Sequence, residues 1–231
     1  MPTGTFVGQM AAGPGGDVWF LKQQKQGNDF SLELASTLAR ISPDGTVTDF
    51  PLPRHQGPFD GPQALATAPD GSLFILTESS SGNGPLTFGI DRIAPDGKLT
   101  ELSLSKSILT GEFYKYGINT QDLSQIKPTY TSLHITVGGD GNIWVASGQS
   151  SGSGIRPFTI LDRIAPDGTV TENVNTRYAQ GPLVAASDGS VWFATFVPTT
   201  GDTELARMSS DGTIGDHTLP DAEGSKLSIA K

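Results

Sequence analysis

Residues 38–50 read LARISPDGTVTDF, and the first ten of them come back three more times with few changes. The copies are residues 90–99 (IDRIAPDGKL), 161–170 (LDRIAPDGTV) and 205–214 (LARMSSDGTI). Asp-Gly supplies the positive φ that a tight or bulged hairpin turn requires. The residues after the turn alternate, with Thr46, Thr48 and Phe50 on one side and Val47 and Asp49 on the other, which is the period of a strand.

Upstream of each copy lies a second repeated stretch: residues 13–20 (GPGGDVWF), 68–75 (APDGSLFI), 138–145 (GGDGNIWV) and 186–193 (ASDGSVWF). A unit therefore reads strand, turn, strand, longer connection, strand, turn, strand. A four-stranded unit cannot bury both faces alone, but units stacked around an axis bury each other. The expected fold class is all-β, a β-propeller of four-stranded antiparallel blades. The blades fall at about 5–54, 61–105, 131–176 and 181–220, with 106–130 as an inserted loop. Residues 225–231 (SKLSIAK) resemble the first strand of a fifth blade, so the four are expected to belong to a larger ring of about seven. A closed four-bladed disc, or two chains pairing into an eight-bladed ring, are the alternatives. An open arc leaves two sheet faces uncovered, which favours self-association.

Two residue types recur at fixed places. Trp19, Phe74, Trp144 and Trp192 follow the first turn of each unit, and such recurrence predicts sheet packing rather than ligand stacking. Arg40, Arg92, Arg163 and Arg207 are expected to bridge to neighbouring strands or turn carboxylates.

The other connections are uneven. Segments 22–36, 78–88, 147–158 and 197–203 follow the second strands, and the longest excursion spans about 105–130. In a meander, odd and even connections leave opposite ends of the sheet, so the long loops gather on one end of the disc, where function usually sits. The long excursion carries Tyr114 and Tyr116 beside Glu112, Phe113 and Lys115, read as a binding finger or as packing for the loop. Connections into the innermost strands bring Gln9, Asp60, Gln63, Tyr130, His134, Tyr178 and Gln180 towards the axis, a candidate ligand pocket.

Composition narrows the partners. With 35% hydrophobic and 17% charged residues in 231, the chain is an ordinary globular one. No apolar run reaches the ~18 residues of a spanning helix, so no membrane partner is expected. Residues 1–10 show no signal peptide, which favours the cytoplasm. The absence of cysteine removes disulfides, thiol catalysis and cysteine metal sites, and leaves the compartment open. A net charge of −9 repels nucleic acid and favours neutral or cationic ligands, a small molecule or a protein at the loop face.

The repeat resembles the virginiamycin B lyase (streptogramin lyase) family of propellers. The match is close over residues 41–53 (ISPDGTVTDFPLP) and 163–172 (RIAPDGTVTE), and covers most of the chain outside the long loops. The resemblance implies a seven-bladed, magnesium-dependent enzyme that opens a macrocyclic ester by β-elimination with a histidine base. The base would stand eleven residues before the blade tryptophan, where this chain has Gly8, Gln63, Leu133 and Gly181. His134 is one position late. The family's glutamate position holds Lys22, Thr77, Ser147 and Thr195, with Glu78 one position late. His134 and Glu78 are thus the candidate catalytic residues. No cofactor is evident from the residues themselves; magnesium enters through the resemblance alone. The mismatches favour a ligand- or partner-binding propeller, with the C–O lyase as the alternative. A calcium-dependent gluconolactonase-type hydrolase ranks third, because Asp60 is the one carboxylate expected near the axis.

Overall fold

The computed structural model describes residues 5–13, 16–26, 33–50, 61–80, 86–105, 129–150, 158–175, 178–196 and 203–218. Every regular element among them is a strand. The first sheet comprises β1 (Thr5–Ala12), β2 (Val18–Gln26), β3 (Glu33–Ile41) and β4 (Val47–Phe50). The second holds β5 (Gly61–Thr67), β6 (Leu73–Ser80), β7 (Leu86–Ile93) and β8 (Leu99–Glu101). β9 (Thr129–Val137), β10 (Ile143–Ser150), β11 (Phe158–Ile164) and β12 (Val170–Asn175) form the third. The fourth consists of β13 (Tyr178–Ala185), β14 (Val191–Phe196), β15 (Thr203–Met208) and β16 (Ile214–Thr218). Each sheet is an antiparallel meander in chain order, the form of a propeller blade. No helix among the described residues is long and apolar enough to cross a membrane.

The turns explain why the strands begin and end where they do. In the turn at 42–46, Gly45 N–H donates to the Ser42 carbonyl at 2.8 Å and Ser42 N–H to the Thr46 carbonyl at 3.0 Å. This is a type I turn closed by a left-handed residue, and proline at its second position presets φ. The closing glycine has φ between 80° and 88° in all eight turns. In seven of the eight an aspartate precedes that glycine and accepts the N–H two residues on, as Asp44 does from Thr46 at 2.9 Å and Asp167 from Thr169 at 2.9 Å. Those bonds hold the Asp44 and Asp167 carboxyls below their usual range.

Three hydrophobic clusters join successive blades. Trp19, Leu21 and Leu38 meet Leu65, Leu73 and Ile75 between the first and second. Phe74, Leu76 and Ile90 meet Ile135, Ile143 and Val145 between the second and third. Trp144, Ala146 and Leu161 meet Leu183, Val191 and Phe193 between the third and fourth. Each blade thus has a forward face, carrying the tryptophan position, seated on the backward face of the next. The large aromatics of the first three blades are buried at these junctions, and Trp192 of the fourth is half-buried.

The recurring arginines are structural. Arg92 donates to Asp70 at 3.1 Å and to Ser72 at 2.8 Å, and Arg207 to Asp188 at 2.7 Å and to Ser190 at 3.1 Å. Arg40 lies 3.5 Å from Asp17 and 5.6 Å from the centroids of both Trp19 and Phe50. Arg163 departs from its sisters and donates to the Ser210 carbonyl of the next blade. The reason is local: Asn142 stands where the second and fourth blades have Ser72 and Ser190, and its Nδ2 donates to Asp140 Oδ2 at 2.6 Å. That oxygen corresponds to the one that receives arginine elsewhere.

The strands reach further than their apolar pattern. Lys22 belongs to β2, not to a loop, and residues 22–26 pair with 33–37. A backbone ladder needs no apolar side chain, so this extension leaves no hydrophobic signal. Lys22 itself binds Asp49 at 2.7 Å.

Candidate functional site

The strand directions set the geometry. β1, β5, β9 and β13 all run towards the tight turns, so their first residues lie at the opposite end of each blade. All four are bulged along their length, at Val7/Met10, Pro62/Ala64, Tyr130/Ser132 and Gln180/Val184. Bulges re-aim side chains and are common beside sites.

Three of the expected site residues have described side chains. Gln9 sits in the β1 bulge, and its Nε2 donates to the Leu133 carbonyl on β9 at 3.0 Å. This bond links the first blade to the third and places a carboxamide beside the backbone that leads into His134. Gln63 is the bulged residue of β5 and is half-buried. His134 is half-buried on β9, opposite Ala146.

The register tests whether His134 can replace the family's base. The β9 bulge falls at Thr131, before both Leu133 and His134, so it does not bring His134 onto the side that Leu133 occupies. Leu133 packs against the cluster between the second and third blades, whereas His134 is opposite Ala146, which belongs to the cluster between the third and fourth. The one-residue offset is therefore real in three dimensions. At the glutamate position, Thr77 and Thr195 are buried and Lys22 is held by Asp49.

The remaining expected residues divide in two. Glu78 lies in β6, Tyr130 in β9, and Tyr178 and Gln180 in β13. They are strand residues, not members of connections, because pairing continues past the apolar positions. Asp60, Tyr114 and Tyr116 lie outside the described residues. The β1–β9 contact was the feature that sequence reasoning missed; its one signal is that Gln9 and His134 occupy equivalent places in their units.

Burial holds the His134 imidazole below its usual pKa. The unfolded chain takes up a proton at the ordinary value near 6.5. Stability from the neutral, buried ring is therefore complete above that pH and declines as pH falls towards the lower folded value. Wild-type protein is expected to lose urea midpoint between pH 7.5 and 5.5, and His134→Gln to lose less. Equal losses would show that the ring titrates as in solvent.

The described residues do not fit the magnesium site that the resemblance implies. No three histidine, aspartate or glutamate side chains among them gather around one point.

No protein-family model and no curated protein matches this sequence. Solved structures do match. A Dyadobacter fermentans protein described as of unknown function superposes with a TM-score of 0.52 at 13% identity, over 93% of this chain and 69% of its own. The Pyrococcus horikoshii acylaminoacyl peptidase gives 0.53 at 10% identity over 92% of this chain. The Bombyx mori GH32 β-fructofuranosidase gives 0.53 at 12% identity over 95%. The chain spans about half the length of the fructofuranosidase (52%) and a third of the peptidase (32%). At such identities the likeness shows the propeller fold alone.

Proposed function

We propose that this chain is a binding propeller that takes a neutral or cationic ligand where its innermost strands meet, without turning it over. The observation that carries this reading is the Gln9–Leu133 bond. It draws polar groups of two non-adjacent blades together on a scaffold whose strands are fixed by packing. Gln63 adds a second carboxamide on the neighbouring inner strand, and His134 adds a neutral imidazole. Amides and a neutral ring present donors and acceptors without net charge, which suits hydrogen-bonded recognition of an uncharged ligand. A histidine can act as a base without such a partner, but His134 lies on the other side of its strand from Leu133, which holds the family's base position.

The blade resemblance supplies a probe, a streptogramin B. Saturable binding in calorimetry is expected, weakened at least several-fold by His134→Ala, with the probe recovered at its original retention time. β-Elimination moves a proton to the base, breaks the ester C–O bond and leaves a carboxylate and a new C=C. The opened ring keeps its mass but changes its retention time and ultraviolet absorbance. Appearance of that isomer with added magnesium would replace the binding reading with the lyase one. No binding at all would remove the streptogramin class.

A further inference from the structure

A cavity of about 350 Å³ lies between the second and third blades, at the end that carries the tight turns. Its floor is Phe74 on β6 with Val137 and Ile143, buried members of the cluster that joins these blades. Pro69, Leu102 and Pro166 form its rim, and Arg92 stands along one wall. It shares no residue with the Gln9, Gln63 and His134 site.

Two differences between blades account for the space. The recurring aromatic is tryptophan in the first, third and fourth blades and phenylalanine in the second. At the next junction Trp144 is fully buried. The smaller ring of Phe74 leaves part of the volume that an indole takes. The second difference is the arginine. Arg163 crosses to the Ser210 carbonyl of the fourth blade, and Pro166 is the residue of the third blade equivalent to Ser210. Arg92 does not cross, because Ser72 and Asp70 of its own blade hold its Nε and Nη2. This junction is therefore built without the indole and without the bridging guanidinium that its neighbour has.

We propose that this cavity is a second binding site, for a small uncharged aromatic molecule that carries a carbonyl or hydroxyl oxygen. The floor selects the ring, since apolar cavities take flat apolar molecules, and pockets of this size are ordinary ligand sites. The wall selects the oxygen. Among the described residues, the bonds of Arg92 use Nε and Nη2 and leave Nη1 to donate to an occupant. Asp70 lies 3.1 Å from Arg92 and balances its charge, and the chain carries a net −9. An uncharged acceptor therefore suits the wall better than a carboxylate. The guanidinium lies 5.9 Å from the centroid of the Phe74 ring, which sets the donor beside the apolar floor. The inference is independent of the ligand at the innermost strands.

The probe is acetophenone, paired with toluene, which lacks the oxygen. Each is titrated into the whole isotope-labelled chain while the amide resonances are followed. Saturable shifts at Gly139 and Gly141, whose turn borders the cavity, are expected for acetophenone. Its dissociation constant should be about 1 mM or tighter, an ordinary strength for so small a ligand. Toluene should bind about fivefold more weakly, the worth of one hydrogen bond, and Arg92→Met should remove that preference. Phe74→Trp rebuilds the site as the third blade has it and is expected to weaken acetophenone at least tenfold, with an unchanged circular dichroism spectrum. Leu102→Trp closes the same space from the rim and serves as the second variant if Phe74→Trp fails to fold. Shifts that do not saturate by about 10 mM, shifts confined to other residues, equal affinities for the two probes, or a folded tryptophan variant that binds as well as wild type would each overturn the proposal.

Discussion

Trp144→Ala is expected to cost about 3–5 kcal/mol in equilibrium denaturation, the range for truncating a large buried aromatic. Trp144 is fully buried and packs with Leu161 and Ala146 against Leu183, Val191 and Phe193. A strand on each side fixes these neighbours, so the hole cannot collapse easily. Two controls make the claim specific. Trp144→Phe keeps the ring at the site, as Phe74 does in the second blade, and should cost at most about 1.5 kcal/mol, as volume-tolerant aromatic swaps do. Its cost is reduced further because the buried Trp144 Nε1 makes no hydrogen bond, so phenylalanine abandons no partner. Trp192→Ala, at the equivalent but half-buried position, should cost about 1 kcal/mol, nearer the average substitution. If Trp144→Ala and Trp192→Ala proved equal, the junction between the third and fourth blades would not be the packed interface described.

The contrast between Trp144 and Trp192 also shows what was legible beforehand. The recurrence of a large aromatic six residues after the start of each first-turn stretch locates the forward face of every blade. In the structure all four stand opposite the recurring arginine: Trp19 and Arg40, Phe74 and Arg92, Trp144 and Arg163, Trp192 and Arg207. Local turn chemistry and a period of two determine that register, and both are written in adjacent residues. How deeply each aromatic is buried depends on what packs against its blade, and the repeat itself does not encode that. The site was less legible for the same kind of reason. Gln9 reaches Leu133 across 124 positions of chain, and the approach depends on how sharply the blades curve around the axis. Arg163 was correctly expected to act structurally, but its turn to Ser210 follows from Asn142, a change of one residue that alters which oxygen is free to accept.

A third feature carried no sequence signal at all, and it yields the second large effect. After β8 the chain does not leave the second blade at once. Leu102 N–H continues the ladder to Ile90, and Leu104 packs against the cluster between the second and third blades. Ser105 then clasps the β11–β12 turn of the third blade: its N–H donates to the Gly168 carbonyl at 2.9 Å, and its Oγ accepts from Val170 N–H at 2.9 Å. Residues 102–105 (LSLS) are thus a strap between blades, held mainly by backbone groups, which no side-chain pattern announces.

Gly168→Ala is expected to break that strap, at a total cost of about 2–5 kcal/mol from left-handed strain and overpacking together. Gly168 has φ +85°, and a Cβ there would run into the carbonyl oxygen of Ser103. Because the obstacle is backbone, it cannot rotate aside; the strap must lift, losing the Ser105 bonds and drawing Leu104 from its cluster. Gly45 and Gly97 provide the control, for each also has φ +85° but nothing within 4 Å of the position a Cβ would take. Gly45→Ala should therefore show the backbone preference alone, about 1–2 kcal/mol. The difference between Gly168→Ala and Gly45→Ala in urea midpoints then isolates the steric term. Gly168→Asn sharpens the test: asparagine tolerates the left-handed region, so it should rescue much of the loss at position 45 but little at 168. If alanine at 168 cost no more than alanine at 45, the strap would not be seated on the turn, and the second and third blades would be held by their apolar faces alone.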